Sequence, residues 1–580
     1  MRTLLLVLLL LSACFCNRPP QEAFKAHPLI PTGYRDKGTI VSSYLAGGKV
    51  LPAIAQGRSD GTTFYHRLPD KAQLRYNFVS DSPGRGRITI ASDYPSRLVQ
   101  EFWVDTEGPK TISLKEFGGR VVQITFAAEF EAGDTAQRLY WINPTIQYMA
   151  NDEQGIPLEL QNFRRNHERD NVLLVLFDAA AASHMSCYGY PRKTTPYVDA
   201  LARGGILFEN AISQAPFTTA STATLLTGFY PIVHGVGMEI DFLDESYHTL
   251  AESFLHAGYE TALFSGNPNA SPLVGFGQGF RKVWRHRKPT PSDAADFVPE
   301  VTSWLNRVQE KPFFAYLHFR EPHVPYTPPH EFLARFSADE SLIEPYQRLP
   351  KWGRIRLAAY DANLAYVDFQ LGRILDLLKS TGKWNRTIVI VLADHGEAFR
   401  EHGFRGHVRA VYDELIRIPL IVRFPGELQL AGVRRSGTVG TLDIAPTLVH
   451  LLGGKKFVSG NGASLLPMLV TGSDFLDRAL ISQSRPPWNS FSLRSREFKL
   501  ISQLGTPVPD KFYWITKDPY EQKNVIGDFP ILSRYYRLKL QDQIEQLKRE
   551  GSRMPRPPKG SQIIDEDARE QLRALGYVDN

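Results

Sequence analysis

Cysteine is nearly missing from this chain. Only three of its 580 residues are Cys, and two of them, Cys14 and Cys16, sit at the extreme N-terminus. Cys187 therefore has no partner in the body of the chain. That excludes a disulfide-stapled scaffold and leaves packing as the source of stability. Long apolar runs are missing as well. Leu4 to Leu11 is far shorter than the ~20 residues of a membrane-spanning helix, and no later segment is apolar enough to be one. Neither sign of charge dominates: 67 Lys and Arg against 61 Asp and Glu leave +6, with no long basic run. A nucleic-acid partner is therefore not expected. Internal repeats and low-complexity tracts are absent too. The 43% apolar and 22% charged content is that of a globular protein, long enough for two to four domains of about 100–200 residues.

What is present begins with a leader. Arg2 precedes the apolar run, as in the h-region of a secretory signal. The run closes in Leu11-Ser12-Ala13-Cys14, similar to a bacterial lipobox in which Cys14 is lipidated. The expectation is a lipoprotein signal peptide over 1–13 and a lipid-anchored, extracytoplasmic protein of the bacterial cell envelope; ordinary cleavage and free secretion is the alternative. Residues 14–35 are Pro-rich and polar and read as a tether. Over 36–165 short alternating runs (Leu74 to Phe78, Arg87 to Ile90, Val121 to Phe126) are separated by turn signals such as Ser82-Pro83-Gly84 and Gly118-Gly119. That pattern predicts a β-sandwich, jelly-roll-like, serving as a carbohydrate binder or a structural appendage.

From about 166 the pattern changes again. Val172 to Phe177 is a continuous apolar run ending in Asp178; Phe313 to Leu317 and Ile388 to Leu392 are similar, the last followed by Asp394. Such runs, alternating with helical patterns, predict buried parallel strands in an α/β domain over 166–460. Ligands collect beyond strand C-termini, where Asp178 and Asp394 fall. Shorter strands and two helical stretches, 532–550 and 566–575, suggest a small C-terminal subdomain over 461–580.

Between two of these runs lies QAPFTTASTATLLTG, Gln214 to Gly228. Hydroxyls ahead of an apolar stretch mark a helix N-terminus, which also offers free N–H groups to an anion. Thr218 or Thr219 is then either a cap or a reactive group. Asp178, Asp394 and His395 with the Thr218 hydroxyl form an O/O/O/N donor set suited to one divalent metal, Zn²⁺, Mn²⁺ or Ca²⁺. A metal beside a threonine hydroxyl lowers its pKa toward nucleophilic use. His318 reads as a satisfied core histidine and His402 as a loop residue.

NVLLVLFD, SCYGYPRKTTPYVDALARGGILFENAISQAPFTTASTATLLTGFYPIVHGV, FFAYLHFREPHVPYTPP, VIVLADHGEAFREHGFRGH, ELIRIPLIVRFPG, VGTLDIAPTLVHLLG and REQLRALGYV resemble, in order, the blocks of the sulfatase family of the alkaline phosphatase superfamily, over about 168–580. The resemblance implies an alkaline-phosphatase-like α/β sandwich core, beside the N-terminal β-sandwich domain and the small C-terminal subdomain read above from pattern. It implies Asp178, Asp394 and His395 as metal ligands, Thr218 at the nucleophile position and His323 as proton donor or anion contact. His407 and Arg405 would meet the substrate or a second metal, for which Glu321, His323 and His407 are the candidates.

The departures are as informative. Sulfatases proper carry Cys or Ser in C/S-x-P-S-R, converted to formylglycine; here Thr218-Thr219-Ala220-Ser221-Thr222 has no Cys, Pro or Arg. The second Asp of the usual pair is Ala179. The G-K-W-H element is replaced by Ser265-Gly266-Asn267-Pro268-Asn269, leaving Asn267 as a substrate-side candidate. The reading is a formylglycine-independent hydrolase of phosphate, phosphonate, phosphodiester or sulfate esters on a small molecule, glycan or envelope polymer. The alternatives are an envelope phospho-group transferase and a catalytically degenerate glycan-binding protein.

Overall fold

The period-two alternation of Leu74, Tyr76 and Phe78 is realised in the strand Gln73–Ser80, whose buried side chains are those three. The computed structural model describes residues 24–29, 34–35, 41–46, 49–56, 61–80, 84–130, 139–149 and 158–555, except 239–240, 289, 309–310, 340, 454–459 and 473–477, together with Glu570. The leader with Cys14, and the helix expected over 566–575 apart from Glu570, lie outside the described residues.

The chain divides into two compact units: Met1–Gly155 with Gly527–Lys539, and Ile156–Ile526 with Leu540–Asn580. The first is an antiparallel sandwich. One sheet runs Val41–Ala46, Lys49–Gln56, Leu139–Met149, Gln73–Ser80, Gly108–Ser113; the other runs Tyr34–Arg35, Thr62–Arg67, Val121–Phe130, Gly84–Ser92, Leu98–Val104. Trp141 sits in its core against Phe78 and Phe126, with ring centroids 5.8 and 5.5 Å away. Phe24–Pro28, read from sequence as tether, pairs antiparallel with Leu139–Met149. Five residues with Pro at the end carry too little pattern to show a sheet partner more than a hundred positions away. Asp93 accepts the backbone N–H groups of Ile531 and Leu532, so Gly527–Lys539 belongs to this unit.

The second unit contains α1 (Leu158–His167), β1 (Asn171–Asp178), β2 (Ile206–Ile212), α2 (Thr218–Thr227), β3 (Glu260–Ser265), β4 (Lys282–Arg285) and β5 (Phe313–Pro322). After these come α3 (Lys351–Ser380), β6 (Thr387–Ala393), β7 (Arg417–Ile418), β8 (Leu420–Arg423), β9 (Val433–Gly440) and α4 (Ile444–Leu451). The sheet order is β4-β3-β5-β1-β6-β8-β2-β7, with β9 on β2. β4, β3, β5, β1 and β6 are mutually parallel, and β8 runs against them. All eight side chains of β1 are buried, as expected where a parallel sheet is covered on both faces. Leu160 and Phe163 of α1 belong to this core. The helix therefore starts the α/β unit earlier than the expected boundary at 166. Leu480–Gln483, Ser490–Arg494, Phe498–Gln503 and Lys511–Trp514 form a separate antiparallel meander.

Parallel pairing aligns the C-terminal ends of β1, β5 and β6. Leu176 stands in register with His318 on one side and with Leu392 on the other. Asp178, His318 and Asp394 are thereby carried to one edge.

Candidate active site

The centre of that edge is a fully buried polar cluster. Asp178, His318 and Asp394 each offer one ligand atom within 4.8 Å of the others, and all three are inaccessible to solvent. His395 Nε2 lies 3.6 Å from Asp178 Oδ1 and 3.5 Å from Asp394 Oδ2. Its Nδ1 is 2.8 Å from the Gly396 carbonyl. A carbonyl can only accept, so the proton sits on Nδ1 and Nε2 presents a lone pair to the cluster.

Asp394 is held by its own surroundings. Oδ1 accepts the N–H of Ala179 at 3.0 Å and of His395 at 2.8 Å. Oδ2, buried, has no hydrogen-bond partner, and neither has His318 Nε2. Two orphaned buried polar atoms of opposite elements facing a second carboxylate are costly in a dry protein interior. Bridging by a divalent cation removes that cost, so the donor set fits a metal. Asp178, Asp394, His318 and His395 are the residues that would hold it. The sequence reading passed over His318. It sits inside a strand without a motif of its own, and only the register of β5 against β1 brings Nε2 to 3.6 Å from Asp178 Oδ2. Tyr316 OH, 2.9 Å from His318 Nδ1, sets the ring's orientation.

Electrostatics divides the two carboxylates. Burial pushes Asp178 upward, but His323, His318 and His395 outweigh it and hold the carboxyl well below its usual range. Asp394 is raised, by burial and then by the charge of Asp178.

Thr218 begins α2. The N-cap is Phe217, which makes no side-chain cap bond, so Thr218 is the first helical residue and not a cap. Its Oγ1 is 3.4 Å from both Asp178 Oδ1 and His395 Nε2. Ser221, one turn on, donates to the Asp394 carbonyl at 2.8 Å and pins α2 to the end of β6. Gly396, two residues after Asp394, lets a different segment come close: a Cβ there would lie 2.1 Å from the Glu414 carbonyl oxygen.

The other sequence candidates fall in two groups. Asn267 is in the cluster: its Nδ2 donates to Asp178 Oδ2 at 2.5 Å. His323 and His407 are beside it, with ring centroids 6.4 and 4.4 Å from that of His395 and 5.0 Å from each other. Val408 N donates to the Pro216 carbonyl, which brings the His407 loop to the start of α2. His323 Nδ1 is 2.6 Å from the Val324 carbonyl, and burial lowers its pKa to about 4. For His407 burial also lowers the value, but Glu397, 3.4 Å from Nδ1, outweighs it and raises the pKa. Glu397 is a further member that sequence missed; its signal was only its place two residues after His395. Arg405 is not in the cluster: it is exposed and lies over the Trp352 ring at 4.6 Å.

Comparison with known proteins bears on the family and the fold. Residues 170–454 match the sulfatase family, and residues 400–550 match the family described as N-sulphoglucosamine sulphohydrolase, C-terminal. An ulvan-active sulfatase of Formosa agariphila is 27% identical over 65% of this chain and 82% of its own length. The multifunctional alkaline phosphatase superfamily protein PehA of Trinickia caryophylli is 24% identical, over 62% of this chain and 92% of its own. Among solved structures, the phosphonate monoester hydrolase of Agrobacterium radiobacter superimposes with a TM-score of 0.55 at 23% identity, covering 66% of this chain and 96% of that one. A protein solved with D-glucosamine-2-N,6-O-disulfate gives 0.58 at 20% identity, covering 67% and 100%. With a buried acid-and-imidazole cluster at the strand ends and these likenesses across the α/β unit, the chain belongs to the sulfatase family of the alkaline phosphatase superfamily and is a sulfatase-family hydrolase.

Proposed function

We propose that the protein hydrolyses phosphate, phosphonate or phosphodiester esters, with Thr218 as nucleophile and without formylglycine. The observation that carries this reading is the position of Thr218 Oγ1, 3.4 Å from both Asp178 Oδ1 and His395 Nε2 at a helix start. A threonine cannot be oxidised to the aldehyde that formylglycine chemistry requires, because its Cβ carries a methyl group. It can still attack phosphorus directly. A divalent metal held by the cluster supplies electrostatic stabilisation of charge on the transferring group. In this reading the side chains do the rest. The Thr218 hydroxyl proton passes to water, the His395 Nε2 and Asp178 lone pairs being those that would hold the metal, as Oγ1 bonds to phosphorus. The ester oxygen leaves with a proton from the imidazole pair His323 and His407, and water then cleaves the phospho-threonine. Asn267 holds Asp178 in place.

The reading extends to location. The leader and Cys14 support a lipid-anchored enzyme of the bacterial envelope, acting on a small-molecule, glycan or envelope-polymer ester. Turnover of aryl phosphate, phosphonate, phosphodiester and sulfate by the metal-loaded chain tests it, with Thr218→Ala and Asp394→Ala alongside. Phosphoryl turnover lost in both variants supports the proposal. Turnover of aryl sulfate alone, or activity that survives Thr218→Ala, overturns it. Product appearing only with an added alcohol acceptor identifies a transferase instead.

A further inference from the structure

Beside the catalytic cluster the structure assembles guanidinium groups on aromatic rings. Arg400 and Arg405 lie over the Trp352 ring, 4.7 and 4.6 Å from its centroid. Arg356, one turn beyond Trp352 on α3, lies 5.2 Å from the Tyr326 ring. Tyr326, Trp352, Gly353, Arg356, Phe399 and Arg405 line one depression. All three arginines are exposed, and among the described residues none has a carboxylate within ion-pair distance. The patch is joined to the site: Tyr326 OH donates to Glu397 Oε2 at 3.0 Å, and Glu397 Oε1 faces His407 Nδ1.

Two cations sharing one ring stand within roughly a Debye length of each other, about 8–10 Å at ordinary salt, so their repulsion is incompletely screened. The ring offsets part of it, since a cation over an indole is attracted by its π-face. A second cost sits in the backbone. Arg400 has φ of 81° and Val408 has φ of 74°, the left-handed region that non-glycine residues avoid. Gly403 and Gly406, in the hairpin that pairs Ala398–Phe399 with Arg405–Gly406, also have positive φ, so glycine is in use there, yet position 400 keeps an arginine. Strain retained at a site margin together with uncompensated charge points to a ligand.

We propose that Arg356, Arg400 and Arg405, ordered on Tyr326 and Trp352, form a subsite for a second oxyanion of the substrate. The substrate is then a polyanion, carrying a sulfate, phosphate or carboxylate group besides the ester that is cleaved. Guanidinium is the side chain suited to such groups because its planar fork matches two oxygens. The proposal rests on the hydrolase reading above, but its test measures binding alone and needs no turnover.

The test is calorimetric titration of the full chain carrying Thr218→Ala with a sulfated hexasaccharide, the same hexasaccharide desulfated, and inorganic polyphosphate. Binding is expected for at least one anionic probe and not for the desulfated sugar; which probe binds separates a sulfated glycan from a phosphate polymer. Arg400→Gly and Arg405→Gln are each expected to weaken that binding about tenfold or more, as for loss of a hydrogen bond to a charged group, and to flatten its salt dependence. Arg400→Gly is expected to melt no lower than the parent, because glycine relieves the left-handed backbone. A merely structural role for Arg400 would instead lower the melting temperature. Equal binding of the desulfated sugar, unchanged affinity in both arginine variants, or no binding of either polyanion overturns the proposal. Absence of turnover by the unsubstituted chain, with polyanion binding retained, would count against the hydrolase reading and leave the subsite supported.

Discussion

Thr218 is buried in a helix whose ten residues are all buried, so its hydroxyl is kept for a task other than solvation. Thr218→Ala is expected to lower turnover on the order of 10⁴- to 10⁶-fold, as for members of a nucleophile–base unit, while near-UV circular dichroism stays unchanged. His318 gives a sharper test because its two roles differ in outcome. As a ligand, His318→Ala should reduce bound metal per chain, read by elemental analysis, before it reduces the melting temperature. A chain that keeps full metal and only melts earlier would return His318 to the core. Removing the metal with a chelator should itself lower the melting temperature, since a ligand at a hundred times its Kd contributes about 2.7 kcal/mol. Glu401 supplies the pH test. Burial, and then the charge of Glu414, push its pKa from 4.5 up to about 8. Between those values the folded chain holds a proton that the unfolded chain releases, so stability falls as pH rises through that window. Glu401→Gln should remove this part of the slope, visible as a flatter plot of melting temperature against pH.

At the scale of elements, the site exists because three strand ends and one helix start meet. β1, β5 and β6 are parallel neighbours, and Ser221 brings α2 into contact with the end of β6. α4 is locked to the same framework by Asp443. That carboxylate takes both terminal nitrogens of Arg478 at 2.6 Å and the N–H groups of Gly440 and Ala463. Asp443→Ala leaves a largely buried guanidinium without its partner and should cost about 3–5 kcal/mol, measured by denaturant titration. Much of this layer was legible beforehand. The runs ending in Asp178 and Asp394 announced buried strands with polar tips, and the hydroxyl stretch announced a helix start. His318 and Glu397 were not, because a residue in the middle of a block has no sequence mark of which neighbour it faces. The seat of Arg405 on Trp352 was not legible for the same reason: its position in the block said nothing of a ring more than fifty residues earlier.

In the whole molecule, the two units are not successive along the chain. Gly527–Lys539 belongs with the N-terminal sandwich, although it follows the meander of the other unit. Asp93, by accepting two first-turn N–H groups of the helix Pro530–Gly551, caps an element more than four hundred positions away. Asp93→Ala is expected to cost about 1 kcal/mol, the usual loss of a helix cap, and to destabilise the sandwich rather than the α/β unit in hydrogen exchange.

Local pattern was sufficient for whatever depends on a residue's own neighbours in sequence. Alternation gave sandwich strands, and continuous apolar runs gave parallel strands. Tertiary structure alone decided what depends on register and crossing. It moved His318 into the buried acid-and-imidazole cluster, set Arg405 on Trp352, and returned residues 527–539 to the first unit. Hydrophobic periodicity specifies which face is buried, but the partner that face meets is chosen by packing across the sheet, where sequence separation carries no information.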